Sequence, residues 1–404
     1  MTAQRNRGPL DGIKVIDLGR IVAGPFVGMT LGDLGADVIK VESPPEGDRV
    51  RAHEPRFAGD VGAYFATVNR NKRSLRLDLR SDGDKRVLAR LLAEADVLVE
   101  NFRPGVLEAM GFTEEVLERT CPRLVVARIS AYGHVGPDRD RPGVDQLVQG
   151  ISGLMAVTGT RDTGPIRSGI AISDLLAGLA AVTGILAALY ERERSGRGQV
   201  VRTSLLEATL GVMSVQAGKF FATGEDPAPE GNHHPVIPLY GTYPTKDGHV
   251  QFQIMHERHF AALARLCRHP EWLEDPRLNS NRARMRNKDL VRELVEQATP
   301  VMTSAEWIAA LRAADVPCGP ILGVKEAFES PQARALDMIL ETSLSSGEPV
   351  AMPGFPVKLS RTPTGLRRPP PHFGEHTEEI LSGLDAEEGD STAPIRGPSR
   401  EDAK

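Results

Sequence analysis

The 404-residue sequence predicts an α/β protein, with a large domain built on an open parallel sheet and a smaller α+β domain. Over the first 150 residues, short apolar runs alternate with helical segments. A stretch rich in Pro, Gly and His, residues 224–238, then interrupts the pattern before strands and helices begin again. We therefore expect a large domain at 1–223, a small domain at 224–330, a segment at 331–382 that packs back on the large domain, and a disordered tail at 383–404.

The predicted large domain begins with a strand–helix–strand unit, which implies a parallel sheet. Residues 14–18 form a short buried strand, a helix follows to about residue 34 with Pro25 suited to its first position, and residues 36–42 form the second strand. Further strands are expected at 74–79, 96–100 and 124–129, with a helix at 83–94. In such a Rossmann-like sheet, ligands lie beyond the carboxyl ends of the strands, close to helix N-termini.

A long helix at residues 175–189 is dense in Ala, Gly and Leu and apolar nearly all round, so we expect it to be buried. It is short for a membrane span and contains glycines, so we expect a core helix and no membrane contact. A further helix is expected at 204–221. The small domain should begin with a strand pair joined by a tight turn at Asp247-Gly248.

Composition and motifs exclude several classes of function. The net charge of −5 argues against a general nucleic-acid binder. No G-x-G-x-x-G follows the first strand and no G-x-x-x-x-G-K-[ST] occurs, so nicotinamide dehydrogenases and P-loop nucleotidases are disfavoured. The three cysteines are widely spaced, and His256 and His259 lack the H-E-x-x-H spacing, so we expect no metal site. Because the N-terminus lacks a secretory signal, we expect a cytoplasmic protein.

Asp174 stands at the start of the long apolar helix, in R-S-G-I-A-I-S-D-L-L-A-G-L-A. A carboxylate in the first turn faces the positive end of the helix dipole, which favours its ionised form. Ser173 and Asp174 are both residue types that cap helices, and most such carboxylates do only that. The local sequence therefore leaves open whether Asp174 is a cap or a nucleophile.

Several segments, taken in order, resemble the class III coenzyme A transferases, a family that includes formyl-CoA transferase and carnitine CoA-transferase. The segments are P-L-D-G-I-K-V-I-D-L, A-G-P-F, L-G-D-L-G-A-D-V-I-K-V-E, N-K-R-S-L-R-L-D-L, A-D-V-L-V-E-N-F-R-P-G, R-P-G-V-D, the Asp174 helix, G-I-L-A-A-L and G-R-G-Q-V-V-R-T-S-L-L-E-A. Each segment is weak alone, but their order and spacing are highly specific and extend over about residues 9–381.

The resemblance implies that Asp174 is a nucleophile. It would attack an acyl-CoA to give a mixed anhydride and then an aspartyl-CoA thioester, which the acceptor carboxylate opens. Coenzyme A is then a substrate, no cofactor is permanently bound, and the partners are an acyl-CoA and a carboxylic acid. The family's dimers are interlocked, so the resemblance also implies an interlocked homodimer.

The resemblance also implies where CoA binds, at the turn after the first strand, the N-K-R-S-L-R-L-D-L segment and the N-F-R-P-G turn. The corresponding residues are Arg20, Val22, Ala23, Arg73, Leu77, Leu79, Asn101, Phe102, Arg103 and Asp145. Arginines and helix N-termini suit the phosphates of CoA. A solvated surface charge explains Arg73 or Arg103 equally well.

Departures from the relatives bear on the substrate. Racemases of the family carry His where this chain has Val144, which cannot transfer a proton, so an acyl-CoA racemase is a disfavoured alternative. Formyl-CoA transferases have Tyr at that position and Gln at the position of Val22. Their glycine-run loop is replaced here by residues 231–235. A strict oxalate enzyme is therefore also disfavoured.

The replaced loop contains His233 and His234, which could position an acceptor carboxylate, and we predict acceptors larger than oxalate, dicarboxylic acids among them. Arg167 is a candidate counter-ion for the acceptor. Ordinary loop or surface roles are the alternatives for all three residues. A non-catalytic CoA-binding partner is a further alternative function, but such a protein would have no use for the nucleophile.

Overall fold

A computed structural model of the protein describes residues 8–388. The strands are β1 Lys14–Asp17, β2 Asp37–Glu42, β3 Arg56–Ala58, β4 Val61–Gly62, β5 Lys72–Arg76, β6 Val97–Glu100, β7 Val125–Ser130, β8 Gly159–Thr160, β9 Gly164–Pro165, β10 Val200–Ser204, β11 Tyr240–Pro244, β12 His249–Gln253, β13 Cys318–Pro320, β14 Ile339–Ser343 and β15 Pro349–Pro353. The helices are α1 Ala23–Asp33, α2 Ala63–Ala66, α3 Asp82–Glu94, α4 Val106–Ala109, α5 Glu114–Thr120, α6 Asp145–Ile151, α7 Ile172–Ser195, α8 Leu205–Gly211, α9 Ser214–Thr223, α10 Glu257–Leu266, α11 Asn281–Arg286, α12 Lys288–Ala298, α13 Ser304–Ala313, α14 Val324–Glu329, α15 Pro331–Ala335 and α16 Thr377–Glu388.

Six strands form a parallel sheet in the order β10-β7-β6-β1-β2-β5, which confirms the predicted parallel sheet. The chain moves from β1 to β2 and β5 on one side, then returns to β6, β7 and β10 on the other. The direction reverses between β1 and β6, which makes this the topological switch point of the sheet. A crevice forms at such a point, beyond the carboxyl ends of the strands, and is the usual ligand site of the architecture.

Both faces of the sheet are covered by apolar layers. On one face, α1 and α7 pack against side chains such as Val15 and Val97. On the other face, α3 and α16 pack against side chains such as Ile16 and Leu98. Successive residues of a strand point to opposite faces, so the consecutive apolar residues of β1 (Val15 and Ile16) and β6 (97–99) follow from a sheet buried on both sides.

Helix α7 is buried along one stripe only, at three- and four-residue spacings from Ser173 to Arg192. Its other face leaves Leu179, Leu186 and Tyr190 51%, 37% and 68% exposed. The prediction of a helix buried all round is therefore wrong for this chain, because only one side packs on the sheet and on α1. Among the described residues, α7 is long and apolar enough to cross a membrane by length and composition, a test that core helices of soluble proteins also pass.

The described chain divides into two compact units. The large unit comprises residues 8–153, 168–213 and 331–388, and the small unit comprises 154–167 and 214–330. The boundary between the large and the small unit at residue 213 comes ten residues before the predicted domain boundary at 223. At the same place, the helix predicted at 204–221 is interrupted. Ser214 has φ +43, so the chain turns there and forms α8 and α9 instead of one helix.

The C-terminal segment lies with the large unit, where His376 N donates to Ser74 O at 3.0 Å and Leu384 is buried. Helix α16 continues to Glu388, past the predicted start of the tail at residue 383. The rest of the predicted disordered tail, 389–404, lies outside the described residues.

The small unit contains a three-stranded antiparallel sheet in the order β11-β12-β13. Strands β11 and β12 form the hairpin predicted around Asp247-Gly248, and Thr245 N donates to Gly248 O at 2.9 Å across its turn. Helices α10, α12 and α13 supply an apolar core around Trp307, whose indole N–H donates to Thr299 O at 2.7 Å.

Candidate active site

Residues 18–22, here called the switch-point loop, connect β1 to α1 at the switch point. Side chains form hydrogen bonds with five consecutive polar groups of its backbone. Gly19 N donates to Asp17, and Lys40 donates to Gly19 O. Arg20 N donates to Asn101 Oδ1, Asn101 Nδ2 donates to Arg20 O, and Ile21 N donates to Asp48. The bonds range from 2.8 to 3.2 Å. The loop is therefore fixed by side chains rather than by regular secondary structure.

Buried ion pairs surround this loop. Lys40 Nζ lies 3.0 Å from Asp48 Oδ2, and Lys72 Nζ lies 2.8 Å from Asp17 Oδ2, with all four side chains essentially inaccessible. Burial lowers the pKa of Lys72 to about 8, although Asp17 opposes the effect. Such pairs are costly to break, because removing one partner leaves a buried charge alone. They make the carboxyl edge of β1 a rigid platform.

Helix α1 begins immediately after the loop, and no side chain caps it at Val22. Its first N–H groups are therefore available to an anion. Gly24 is required at this start, because a Cβ there would lie 2.6 Å from Gly19 Cα. Val22 and Ala23, both buried, form the start of this helix.

The N-F-R-P-G turn after β6 lies against the same loop. Asn101 bridges the backbone of Arg20, and the Arg20 guanidinium lies 4.8 Å from the centre of the Phe102 ring. Arg103 is exposed and makes no hydrogen bond or ion pair within residues 8–388. The structure thus brings together two predicted CoA residues after β6, Asn101 and Phe102, with Arg20 of the switch-point loop. Exposed guanidinium groups beside an aromatic face suit a phosphate-bearing ligand.

Asp174 lies in the first turn of α7, a helix that packs against the start of α1. Gly178, one turn further along α7, packs so closely that an added Cβ would meet Phe26 Cδ1 at 2.7 Å and Ala23 O at 3.3 Å. Residues four apart share a helix face, with Cβ atoms about 6 Å apart. Asp174 therefore lies about one helical turn from the contact between α7 and the start of α1.

The Asp174 carboxylate is half-buried and accepts no hydrogen bond from any described residue. Burial raises its pKa to about 7, and the nearby Asp145 contributes to the increase. The prediction that the helix dipole favours the ionised form is therefore wrong in its net effect, because desolvation and a like charge outweigh the dipole. Asp174 also does not cap the helix, since it lies inside the first turn without a capping bond.

Asp145, predicted to bind CoA, uses both carboxylate oxygens within the protein. Oδ1 accepts from Ser173 N at 2.8 Å and Oδ2 accepts from Gln149 Nε2 at 2.7 Å. Gln149 Oε1 in turn accepts from Ser168 N at 2.8 Å. Through these bonds Asp145 fixes the start of α7 and places a negative charge near Asp174, while its contact with CoA stays a prediction.

Tyr64 is a site residue that the sequence did not indicate. Burial, together with the charges of Asp174, Asp145 and Asp48, raises the pKa of its phenol. The ring stacks on His53 with centroids 6.1 Å apart, and the hydroxyl makes no hydrogen bond to the described chain. Tyr64 is far from Asp174 in sequence and follows no motif, so only the fold could bring the two together.

Three predicted CoA residues lie in or just after β5, and one of them, Arg73, lies at the other edge of the sheet. The Arg73 guanidinium is 2.6 Å from Asp37 and 2.9 Å from Glu379, and Asp37 begins β2, so this side chain faces the amino edge of the sheet. Leu77 and Leu79 are buried in the core with α3. The Arg73 contacts favour a structural role, because the ligand edge of the sheet is the opposite one. Leu77 and Leu79 follow the carboxyl end of β5, so their contact with CoA stays a prediction.

His233, His234 and Arg167 belong to the small unit. His233 packs edge-on against Tyr243, and burial lowers its pKa to about 4. His234 stacks on Tyr240 with centroids 5.2 Å apart. Both histidines line a small cavity together with Tyr240, Lys288 and Arg292. The side chains of Lys288 and Arg292 form ion pairs with Glu230. Arg167 is exposed.

His256 and His259 pack edge to face, with ring centroids 5.0 Å apart. Within residues 8–388, no group of three or more His, Cys, Asp or Glu side chains is placed to hold a metal ion.

The switch-point crevice, its cationic turn and the nearby carboxylate define an α/β protein of the class that binds phosphate-bearing ligands at the carboxyl edge of a parallel sheet. The chain belongs to CoA-transferase family III, whose model matches residues 10–377. This finding confirms the family predicted from the sequence motifs.

Individual proteins that are similar to this chain support its place in the family. The chain is 39% identical over 360 residues to an acetyl-CoA:oxalate CoA-transferase of Acetobacter aceti, covering 89% of this chain and 91% of the relative. It is 34% identical to the human succinyl-CoA:glutarate CoA-transferase, covering 93% and 86%. A crystal structure of a CAIB/BAIF family protein from Brucella suis superposes with TM-score 0.85 at 38% identity, covering 94% and 100%. The protein is therefore a class III CoA-transferase, an enzyme with CoA as substrate.

Proposed function

We propose that the protein moves CoA from an acyl-CoA to a carboxylic acid through covalent intermediates on Asp174. The observation that carries the proposal is the Asp174 carboxylate itself, which is desolvated, has no hydrogen-bond partner in the described chain and lies about one turn from the packed start of α1. A pKa of about 7 leaves a substantial ionised fraction at neutral pH. An ionised carboxylate without hydrogen bonds is a stronger nucleophile than a solvated one.

In the first half-reaction, an Asp174 oxygen attacks the thioester carbonyl, the C–S bond breaks and CoA leaves as its thiolate. The product is a mixed anhydride between Asp174 and the donor acyl group. The thiolate then attacks the aspartyl carbonyl, which releases the donor acid and leaves an aspartyl-CoA thioester.

The second half-reaction repeats these steps in reverse order with the acceptor. Its carboxylate attacks the aspartyl thioester, releasing the thiolate and forming a new anhydride. The thiolate attacks the acyl carbon of the acceptor, giving the new acyl-CoA and restoring the Asp174 carboxylate. One thioester is exchanged for another, so no ATP is consumed.

For CoA, we propose that the α1 start at Val22 and Ala23 and the guanidinium groups of Arg20 and Arg103 take the phosphates. Asn101 and Phe102 shape that surface. The Tyr64 hydroxyl would donate to the oxygen that becomes negative as Asp174 attacks, which would offset its charge.

For the acceptor, we propose a dicarboxylic acid larger than oxalate, one carboxylate of which contacts His234 beside Tyr240. The relatives named for oxalate and glutarate support a dicarboxylate. Arg167 stays a candidate counter-ion. We further propose a cytoplasmic homodimer, interlocked as the family resemblance implies, in which the exposed apolar face of α7 is covered by the second copy.

Trapping tests the covalent step. The enzyme is incubated with an acyl-CoA and then treated with hydroxylamine or borohydride, and the modified peptide is identified by mass spectrometry. We expect modification at Asp174 alone and none in Asp174→Asn. Labelling of another carboxylate would contradict the proposal.

An acyl-CoA racemase is the alternative reaction. Val144, which is exposed at the start of α6, supplies no proton donor or acceptor. We expect no enzyme-dependent deuterium uptake at the α-carbon of a 2-methylacyl-CoA in deuterium oxide. Rapid uptake would favour the racemase.

A further inference from the structure

Ile21, at the tip of the switch-point loop, has an unusual backbone conformation. Its φ is +68, in the left-handed region, and its side chain is 43% exposed. A β-branched residue is disfavoured there because Cβ approaches the following carbonyl, and it gains no packing in exchange when the side chain is exposed. Something other than Ile21 must therefore hold this conformation.

The residue that holds it is Asp48. Its two carboxylate oxygens lie 3.2 and 3.1 Å from Ile21 N, and Oδ1 also accepts from Val50 N at 3.3 Å. Lys40 donates to the same carboxylate at 3.0 Å and to Gly19 O at 2.8 Å. The Lys40–Asp48 pair thus forms hydrogen bonds with the residues before and after Arg20, and both of its side chains are fully buried.

A relaxed loop would change the ligand surface. If the bond to Ile21 N were lost, φ of Ile21 would return to negative values, and the peptide planes on either side would rotate. Those planes belong to Arg20 and Val22, which precede the open N–H groups of α1. The chain keeps a strained residue where a glycine would be free of strain, so the buried pair must supply the restraint.

We propose that Lys40 and Asp48 are positioning residues that hold the switch-point loop, through Ile21, in the conformation that binds CoA. This inference rests on the proposed placement of CoA at that loop. Neither side chain touches CoA in this scheme, since both are inaccessible, and they act through the backbone of Gly19 and Ile21.

The test compares the effect of Asp48→Asn with and without Ile21→Gly, using the dissociation constant for CoA measured by titration calorimetry. Asparagine keeps the size of the side chain but loses the charge that pairs with Lys40. We expect Asp48→Asn alone to weaken CoA binding about fivefold or more, since a neutral amide without its ion pair to Lys40 opposes the left-handed strain less than the carboxylate does. In the presence of Ile21→Gly, which removes the strain, the same substitution should weaken binding less than about twofold.

A purely structural role for Asp48 predicts a different result, in which Ile21→Gly leaves the effect of Asp48→Asn unchanged. That outcome would overturn the proposal. The matched control is Asp33→Asn, which breaks the buried Asp33–Arg70 pair at the other end of α1. Its effect on CoA binding should not depend on Ile21→Gly.

Two further measurements keep the result interpretable. Thermal unfolding shows whether Asp48→Asn is folded, and if it is not, Lys40→Gln takes its place, because it removes the counter-charge that holds the Asp48 carboxylate against Ile21 N. Rescue by Ile21→Gly is expected there as well, and its absence would count against the proposal. If the unaltered protein fails to bind CoA, the proposed function fails, which is distinct from failure of the rescue.

Discussion

The switch-point loop and the first turn of α7 differ in how they are held, although the helices that follow from them pack on each other. Side chains hold five polar backbone groups of the loop, and two buried ion pairs support it. The Asp174 carboxylate accepts no hydrogen bond in the described chain, and its pKa is raised to about 7. The binding surface is therefore preorganised, whereas the reactive group is desolvated and available to the substrate.

This difference predicts a separation of kinetic effects. Changes around the loop or in other binding contacts should act mainly on KM, because they alter binding. Changes at Asp174 and at the groups facing it should act mainly on kcat, because they alter a step that follows binding.

The largest effect is expected from Asp174→Asn. The amide cannot attack a thioester, so we expect kcat to fall about a thousandfold or more, while the dissociation constant for CoA stays within about threefold. Steady-state transfer assays and titration calorimetry measure the two quantities. A variant that keeps more than about a tenth of the wild-type rate would show that Asp174 is not the relay.

The next effect concerns the acceptor. His234→Ala should raise the acceptor KM about tenfold or more with little change in kcat, since a hydrogen bond to a charged group contributes about 1.5–3 kcal/mol. His233→Ala is the matched comparison. Because His233 packs on Tyr243 and fills the space beside Gly241, it should mainly lower the melting temperature. Equal acceptor KM values in both variants and the wild type would make both histidines ordinary loop residues.

Tyr64→Phe removes only the hydroxyl that lies in the field of Asp174 and Asp145. We expect kcat to fall about tenfold, the effect of losing one hydrogen bond to a developing negative charge. CoA affinity should be unchanged, because the ring and its stacking on His53 remain. A change confined to KM would assign Tyr64 to binding instead.

The sequence predicted the sheet and much of its ligand edge. The apolar runs of β1, β2, β6 and β7 are distinctive because both faces of each strand are buried. The β1 turn and the N-F-R-P-G turn carry motifs that place them at the carboxyl edge. Those parts of the site are encoded locally, so a single sequence reveals them.

Other parts of the site depend on contacts between distant segments. The motif around Arg73 is recognisable, but its sequence does not show that the guanidinium turns toward Asp37 and Glu379. Tyr64 has no motif, and its electrostatic interaction with Asp174 exists only in the folded chain. The direction of the Asp174 pKa shift was missed for the same reason, because burial is a tertiary property and the helix dipole a local one.

The raised pKa of Asp174 also predicts how stability depends on pH. Its pKa in the folded state is about 7, above the ordinary value of 3.8. The folded state thus binds more protons between these values, and Asp174 lowers stability increasingly as the pH rises through that window. Asp174→Asn should therefore melt about 2–5 °C higher than wild type at pH 8, with a difference that shrinks toward pH 5. The exposed Asp162→Asn serves as control, and a pH-independent difference would contradict the assigned shift.

The smallest effect is expected at Ser173, the neighbour of Asp174. Its hydroxyl is buried and has no hydrogen-bond partner in the described chain, while its backbone N–H donates to Asp145. Ser173→Ala keeps that backbone bond and removes an unsatisfied polar group, so stability should stay equal or rise by up to about 1 kcal/mol. Because the hydroxyl supports nothing in the described chain, kcat should stay within about twofold of wild type. Urea unfolding and transfer assays measure both quantities. A fall in kcat of tenfold or more with normal stability would mean that the bound substrate supplies the missing partner, and the reactive turn would then be organised by its ligand rather than by the protein.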